Sequence, residues 1–311
     1  MQSGRSCPLR YRYAPEDFAR APDFRADTLY VIGGLYGNVP ALEAVLELAR
    51  QEYAAVTLAF NGDFNWFNID DAGFHAINSE VLCHRALRGN VETEIADDDG
   101  TAGCGCGYPD WVGDAEVERS NAIIVSLREA ARRHAQLRAR LVTLPMNLVA
   151  DIGGVPVGIV HGDLESLAGW SLSQDALSTE DAINIVQKHI VTSKCPIVTS
   201  SHTCLSVALA LDTAMGRCAV FNNGAAGMPN FRDTHYGVIT RISTAPAKHV
   251  SPLYGTRING VHIDALPVRY DHARWQREFL ANWPAGSPAH QSYYRRISAG
   301  PAYDIAQAIR L

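Results

Sequence analysis

Four polar residues recur in one kind of setting along this chain. Asp63 follows the run Leu58-Ala59-Phe60-Asn61-Gly62, and Asn90 follows Ala86-Leu87-Arg88-Gly89. His161 follows Val157-Gly158-Ile159-Val160, and His202 follows Ile197-Val198-Thr199-Ser200-Ser201. Each stands just past a strand-like apolar stretch, where open α/β sheets place their chemistry. Singly, an Asp after Gly is a turn residue or helix cap, and a lone His is a satisfied buried ring. Together, a carboxylate, an amide oxygen and two imidazoles are a donor set for a divalent cation.

Those side chains need strands behind them, and the pattern supplies strands. Thr28–Ile32 reads as a strand, 41–49 as a helix with Leu42, Val45, Leu46 and Ala49 on one face, and 54–60 as a second strand. The chain therefore opens β-α-β, the unit of a sheet with parallel neighbours. A short helix is expected over Asp71–Glu80, a strand over Val81–Arg88, a long loop over Thr93–Asp114 and one helix from about Val117 to Arg140. Met146–Ala150 and Val155–Val160, joined through Gly153-Gly154, read as an antiparallel hairpin. A helix over about Thr179–Ile190 has its start signals in Ser178, Thr179, Glu180 and Asp181. Strands follow at Ile197–Ser200, Cys218–Asn222, Tyr236–Ile242 and Val261–Arg269, then a helix over Asp271–Asn282 and a tail punctuated by Pro and Gly. The expectation is a single domain over 1–311, with its core at about 28–245 and an extension at about 246–311.

Composition narrows the function classes. Hydrophobic residues make up 47% and charged residues 19% of 311, the balance of a soluble globular protein. A net charge of −6 supplies no general basic surface, which argues against a nucleic-acid polymer as partner. No apolar run reaches membrane-spanning length and residues 1–27 carry no secretion signal, so a cytoplasmic protein with no membrane partner is expected. The seven cysteines, an odd number, read as reduced thiols.

The blocks Gly37-Asn38-Val39-Pro40-Ala41-Leu42, Asn61-Gly62-Asp63, Arg88-Gly89-Asn90-Val91-Glu92, Val160-His161-Gly162-Asp163, Ser201-His202-Thr203 and Asn223-Gly224-Ala225-Ala226-Gly227-Met228-Pro229 occur in an order similar to that of the calcineurin-like metallophosphoesterases. The likeness is greatest to the small bacterial branch related to cyclic-nucleotide phosphodiesterases, and it spans about residues 28–245. It implies a four-layer α/β/β/α sandwich with a two-metal site between its sheets. Asp63 would bridge the two metals, with Asn90, His161 and His202 completing the second position. Asn90 would also stabilise the charge that builds up on phosphorus, and Asp163 would orient a ligand histidine, contact substrate or cap its own turn. The first position departs from the family pattern. Gly34 stands where the first block has Asp, Tyr36 where it has His, and Cys204 where the last block has His. Val91 replaces the His that serves as general acid.

Two readings of that departure stay open. The first position is empty, or it is rebuilt with Tyr36 and Cys204 as ligands and with Cys104 and Cys106 folding over as soft donors. The expected cofactor is Mn, Fe or Zn, one or two ions per chain. The expected function is metal-dependent hydrolysis of a small phosphomonoester or phosphodiester by metal-activated water. The alternative is a degenerate member that binds metal or a phosphate ligand without turnover. Residues 246–311 leave room for a homo-oligomeric contact. A dinucleotide-binding dehydrogenase is disfavoured, because Ile32 takes the place of the first Gly in the G-x-G-x-x-G pattern.

Overall fold

The computed structural model describes residues 3–311. Its strands are β1 Phe24–Ala26, β2 Thr28–Ile32, β3 Val56–Asn61, β4 Arg85–Leu87, β5 Asn147–Ile152, β6 Val155–Val160, β7 Ile197–Ser200, β8 Ser206–Thr213, β9 Gly216–Asn223, β10 Gly237–Ser243, β11 Tyr254–Ile258, β12 Val261–Val268 and β13 Ile309–Arg310. Its helices are α1 Val39–Arg50, α2 Asp71–Val81, α3 Asn90–Ala96, α4 Asp114–Arg132, α5 Ala135–Val142, α6 Glu180–Ser193, α7 His272–Asn282, α8 Pro288–Ala299 and α9 Ile305–Ala308.

The strands form two stacked sheets, ordered β11-β12-β10-β2-β3-β4 and β1-β5-β6-β7-β9-β8-β13. Burial on both faces explains why the central strands read as unbroken apolar runs rather than as alternation. In β2, Leu29 and Val31 enter the core between the sheets, while Tyr30 and Ile32 face the helices on the other side. In β9, Ala219 and Phe221 enter the inter-sheet core, while Cys218 and Val220 join the cluster under α6. The result is the expected four-layer α/β/β/α sandwich.

Register places the strand ends level. Ile32 pairs with Phe60 and Phe60 with Ala86, so β2, β3 and β4 finish side by side. Ile159 pairs with Thr199 and Thr199 with Phe221, which does the same for β6, β7 and β9. Two asparagines tie the sheets together at these ends. Asn61 Nδ2 donates to the Val160 carbonyl and Asn223 Nδ2 to the Val31 carbonyl, both at 3.0 Å.

Several expectations are corrected. The region from Val117 to Arg140 is two helices, because the chain breaks at Arg133-His134 and the His134 ring stacks on Phe74 at 4.9 Å. The strand over Val81–Arg88 shrinks to Arg85–Leu87, with Val81 closing α2. Thr93–Asp114 is not loop throughout, since α3 begins at Asn90 and runs to Ala96. The tail is structured as well: the Ser287 side chain caps α8, Pro288 opens it, and β13 pairs with β8. The lead-in segment is pinned by Glu94, a fully buried carboxylate bonded to Arg10, Tyr11 and Arg128. Among the described residues no helix is long and apolar enough to cross a membrane.

Candidate metal centre

The turn after β3 holds Asp63 in left-handed backbone (φ 52°), a conformation that non-glycine residues adopt at a cost. Glu92 explains how that turn is held. It is fully buried, and its Oε2 accepts the backbone N–H groups of Asp63 (2.7 Å) and Gly89 (3.0 Å). Its Oε1 accepts from the Asn65 backbone and side chain, both at 3.2 Å. One carboxylate thus ties the Asp63 turn to the first turn of α3. Burial, and then the neighbouring Asp63 charge, push the Glu92 carboxyl up to about 7.

The four residues singled out in the sequence converge. The ligand atoms of Asp63, His161 and His202 lie within 4.8 Å of one another, and all three side chains are buried. His161 Nε2 sits at the centre, 3.3 Å from Asp63 Oδ2, 3.1 Å from Asn90 Oδ1 and 3.1 Å from His202 Nδ1.

Backbone carbonyls set the orientation of three donors, and the Val91 N–H donates to the fourth, Asp63 Oδ1, at 3.1 Å. His161 Nδ1 lies 2.9 Å from the Asn61 carbonyl, and a carbonyl only accepts, so Nδ1 carries a proton and Nε2 faces the cluster. His202 Nε2 likewise donates to the Cys106 carbonyl (2.9 Å), which turns its Nδ1 inward. Asn90 Nδ2 donates to the Cys104 carbonyl (2.9 Å), which turns its Oδ1 inward. The long loop therefore serves the site through two carbonyls. Outer hydrogen bonds of this kind orient metal ligands and fix their tautomers.

Electrostatics agree with that arrangement. Burial pushes Asp63 up, but the charge and hydrogen bond of His161, with the Val91 N–H, outweigh it and hold the carboxyl low. Burial pushes His161 down, and Asp63 more than reverses this. Burial and the adjacent His161 drive His202 down to about 3, so its ring stays neutral with a free lone pair. Inward-facing lone pairs at this spacing require a positive charge among them. A proton on His161 meets that need, and a divalent cation fits the same donors.

Solved structures match this fold. A hypothetical protein from Pyrococcus horikoshii OT3 aligns with a TM-score of 0.58 at 18% identity, covering 88% of this chain and 99% of that one. A metallophosphoesterase from Sphaerobacter thermophilus aligns with a TM-score of 0.56 at 15% identity, covering 88% of this chain and 100% of that one. The chain has the metallophosphoesterase fold. No protein-family model and no curated relative matches the sequence.

Within the metallophosphoesterase fold, the other residues singled out in the sequence stand around this cluster, and Tyr36 and Cys204 line the cavity beside it. Tyr36 and Cys204 pair with each other, Oη to Sγ at 2.9 Å, and the sulfur stands outside the ligand cluster. Cys104 and Cys106 do not join that cluster either, although Cys106 lines the adjoining cavity. Asp163 organises its own loop: Oδ1 accepts the Glu165 and Ser166 N–H groups, and Oδ2 accepts the Ser171 N–H and hydroxyl. These contacts are those of a turn cap, and the His161 Nδ1 is held by the Asn61 carbonyl.

The cavity beside the cluster measures about 50 Å³ and is walled by Trp66, Tyr108, Trp170 and Tyr293. Trp170 packs edge-on against His202 at 5.3 Å and donates through Nε1 to the Cys106 carbonyl. Tyr108, Trp170 and Tyr293 escaped the sequence reading. They come from three distant segments that share no local pattern, and only Trp66, just past Asp63, carried a positional hint.

Proposed function

We propose that this protein is a metal-dependent phosphoesterase acting on a small phosphomonoester or phosphodiester, with a divalent ion (Mn, Fe or Zn) held by Asp63, Asn90, His161 and His202. The supporting observation is the convergence of four donor atoms on one point, each turned inward by a fixed outer hydrogen bond. When bound, such an ion supplies Lewis-acid polarisation of a phosphoryl oxygen and activation of water.

The chain's own residues set what surrounds that chemistry. Asp63 is the single carboxylate of the set, so a divalent ion keeps surplus positive charge toward substrate. None of the residues lining the cavity is Lys or Arg, which leaves the ion as the main partner for phosphoryl charge. The aromatic walls lower the local dielectric beside the cluster, which strengthens each remaining electrostatic contact.

A second reading is a binder of metal or phosphate without turnover, favoured by Tyr36 and Cys204 standing where the family pattern has ligands. The test is protein reconstituted with Mn²⁺, Fe²⁺ or Zn²⁺ and assayed on bis-p-nitrophenyl and p-nitrophenyl phosphate. Turnover abolished by Asp63→Ala is the expected result. Metal uptake without turnover, on both substrates and with all three ions, favours the binder.

A further inference from the structure

The resemblance implies two metal positions, and the structure fits only one of them. We infer that this chain binds a single ion, because the other position is filled by the Tyr36 ring locked to Cys204. The inference rests on the proposed metal centre and concerns how many ions it holds.

Three observations carry it. Gly34 and Tyr36 are coupled by space: a Cβ on Gly34 would stand 2.6 Å from Tyr36 Cζ and 2.7 Å from its Oη. The phenol thus occupies the volume that any side chain at position 34 needs, so a carboxylate there and this ring position exclude each other. The ring is also fixed. It is 2% exposed, packs against Phe67 with centroids 5.9 Å apart and hydrogen-bonds to the Cys204 sulfur. On the other side of the pair, Arg296 of α8 donates to the carbonyls of Cys204 and Pro229, holding the turn in which Cys204 is left-handed (φ 63°).

The inventory of imidazoles, thiols and carboxylates points the same way. Among the described residues, Asp63, His161 and His202 are the one group of three or more His, Cys, Asp or Glu whose ligand atoms come together. A second ion would have only Asp63 in common with the first and would face a phenol and a thiol already bonded to each other. The filled position therefore presents the cavity with an uncharged hydroxyl and an aromatic edge in place of a second cation.

The experiment is metal counting on the full chain. Protein reconstituted with excess Mn²⁺ and freed of unbound ion is measured by elemental analysis, and the electron paramagnetic resonance spectrum is recorded on the same sample. One equivalent, with the spectrum of isolated Mn²⁺, is expected. Two equivalents with an exchange-coupled spectrum overturn the inference and leave the phosphoesterase proposal standing. No retained metal overturns both. Tyr36→Phe keeps the ring and is expected to keep one equivalent; a second equivalent in that variant refutes the plug. The triple variant Gly34→Asp/Tyr36→His/Cys204→His removes the ring and restores the ligand types, and it is expected to take up two.

Discussion

Glu92 offers the sharpest test of how the site is built. Glu92→Gln keeps the length and shape of the side chain but puts an NH₂ where Oε2 accepts the Asp63 and Gly89 N–H groups at 2.7 and 3.0 Å. Two buried backbone donors then face a donor. An unsatisfied buried hydrogen-bonding group costs about 1–3 kcal/mol, which puts the loss at about 2–6 kcal/mol for the pair. The wild-type carboxylate is itself disfavoured by burial and by Asp63, and relief of that cost pulls the expected net loss toward the low end of that range, about 2 kcal/mol. Urea denaturation of the metal-free protein measures it as a lower midpoint at unchanged slope. The same substitution loosens the turn that presents Asp63, so Mn²⁺ affinity, read by titration calorimetry, should fall by about 10–100-fold. A stability change within about 0.5 kcal/mol, the scatter of ordinary surface substitutions, would refute this account of Glu92.

Three further outcomes follow from contacts described above or beside them. Gly89→Ala would place a Cβ 2.2 Å from Asp63 Oδ1; metal affinity should drop at least about tenfold while far-UV circular dichroism is unchanged. Asp163→Ala frees four donors of the 163–171 loop and should cost about 2–4 kcal/mol in urea while leaving metal stoichiometry intact; loss of the ion would return Asp163 to the site. Arg241, 1% exposed, bridges Glu52 and Asp264, so Arg241→Met leaves two buried carboxylates without their cation and should destabilise by about 3–5 kcal/mol. Burial raises Glu52, but Arg241 and Tyr30 outweigh it and lower the carboxyl in the folded protein. The Glu52 contribution is therefore present above the ordinary glutamate range and lost as pH falls through the lowered folded value, so the gap between wild type and variant should narrow in acid. A gap that widens in acid would reverse the assignment.

What the sequence revealed follows from where the information is local. Strands β2, β3, β6, β7 and β9 are legible because two-sided burial writes them as apolar runs, and their ends mark Asp63, His161 and His202. Asn90 was legible as a ligand candidate but not as the start of α3, because Gly89-Asn90 has the composition of a turn. The helical signal lies instead in Glu92 reaching back to the Gly89 N–H. Helix α8 was hidden by its composition: its buried face is Ala289 and Ile297, too sparse to register as an apolar stripe. The coupling of Gly34 to Tyr36, the loop carbonyls that aim Asn90 and His202, and the aromatic walls are all matters of distance between remote segments. No window of sequence contains them.

The carboxyl-terminal helices close the site that earlier residues begin. Trp283 donates to the Phe67 carbonyl, Tyr293 lines the cavity and Arg296 grips the Cys204 turn. Closure of the cavity therefore depends on the docking of α7 and α8, which follow all four clustered residues in the chain.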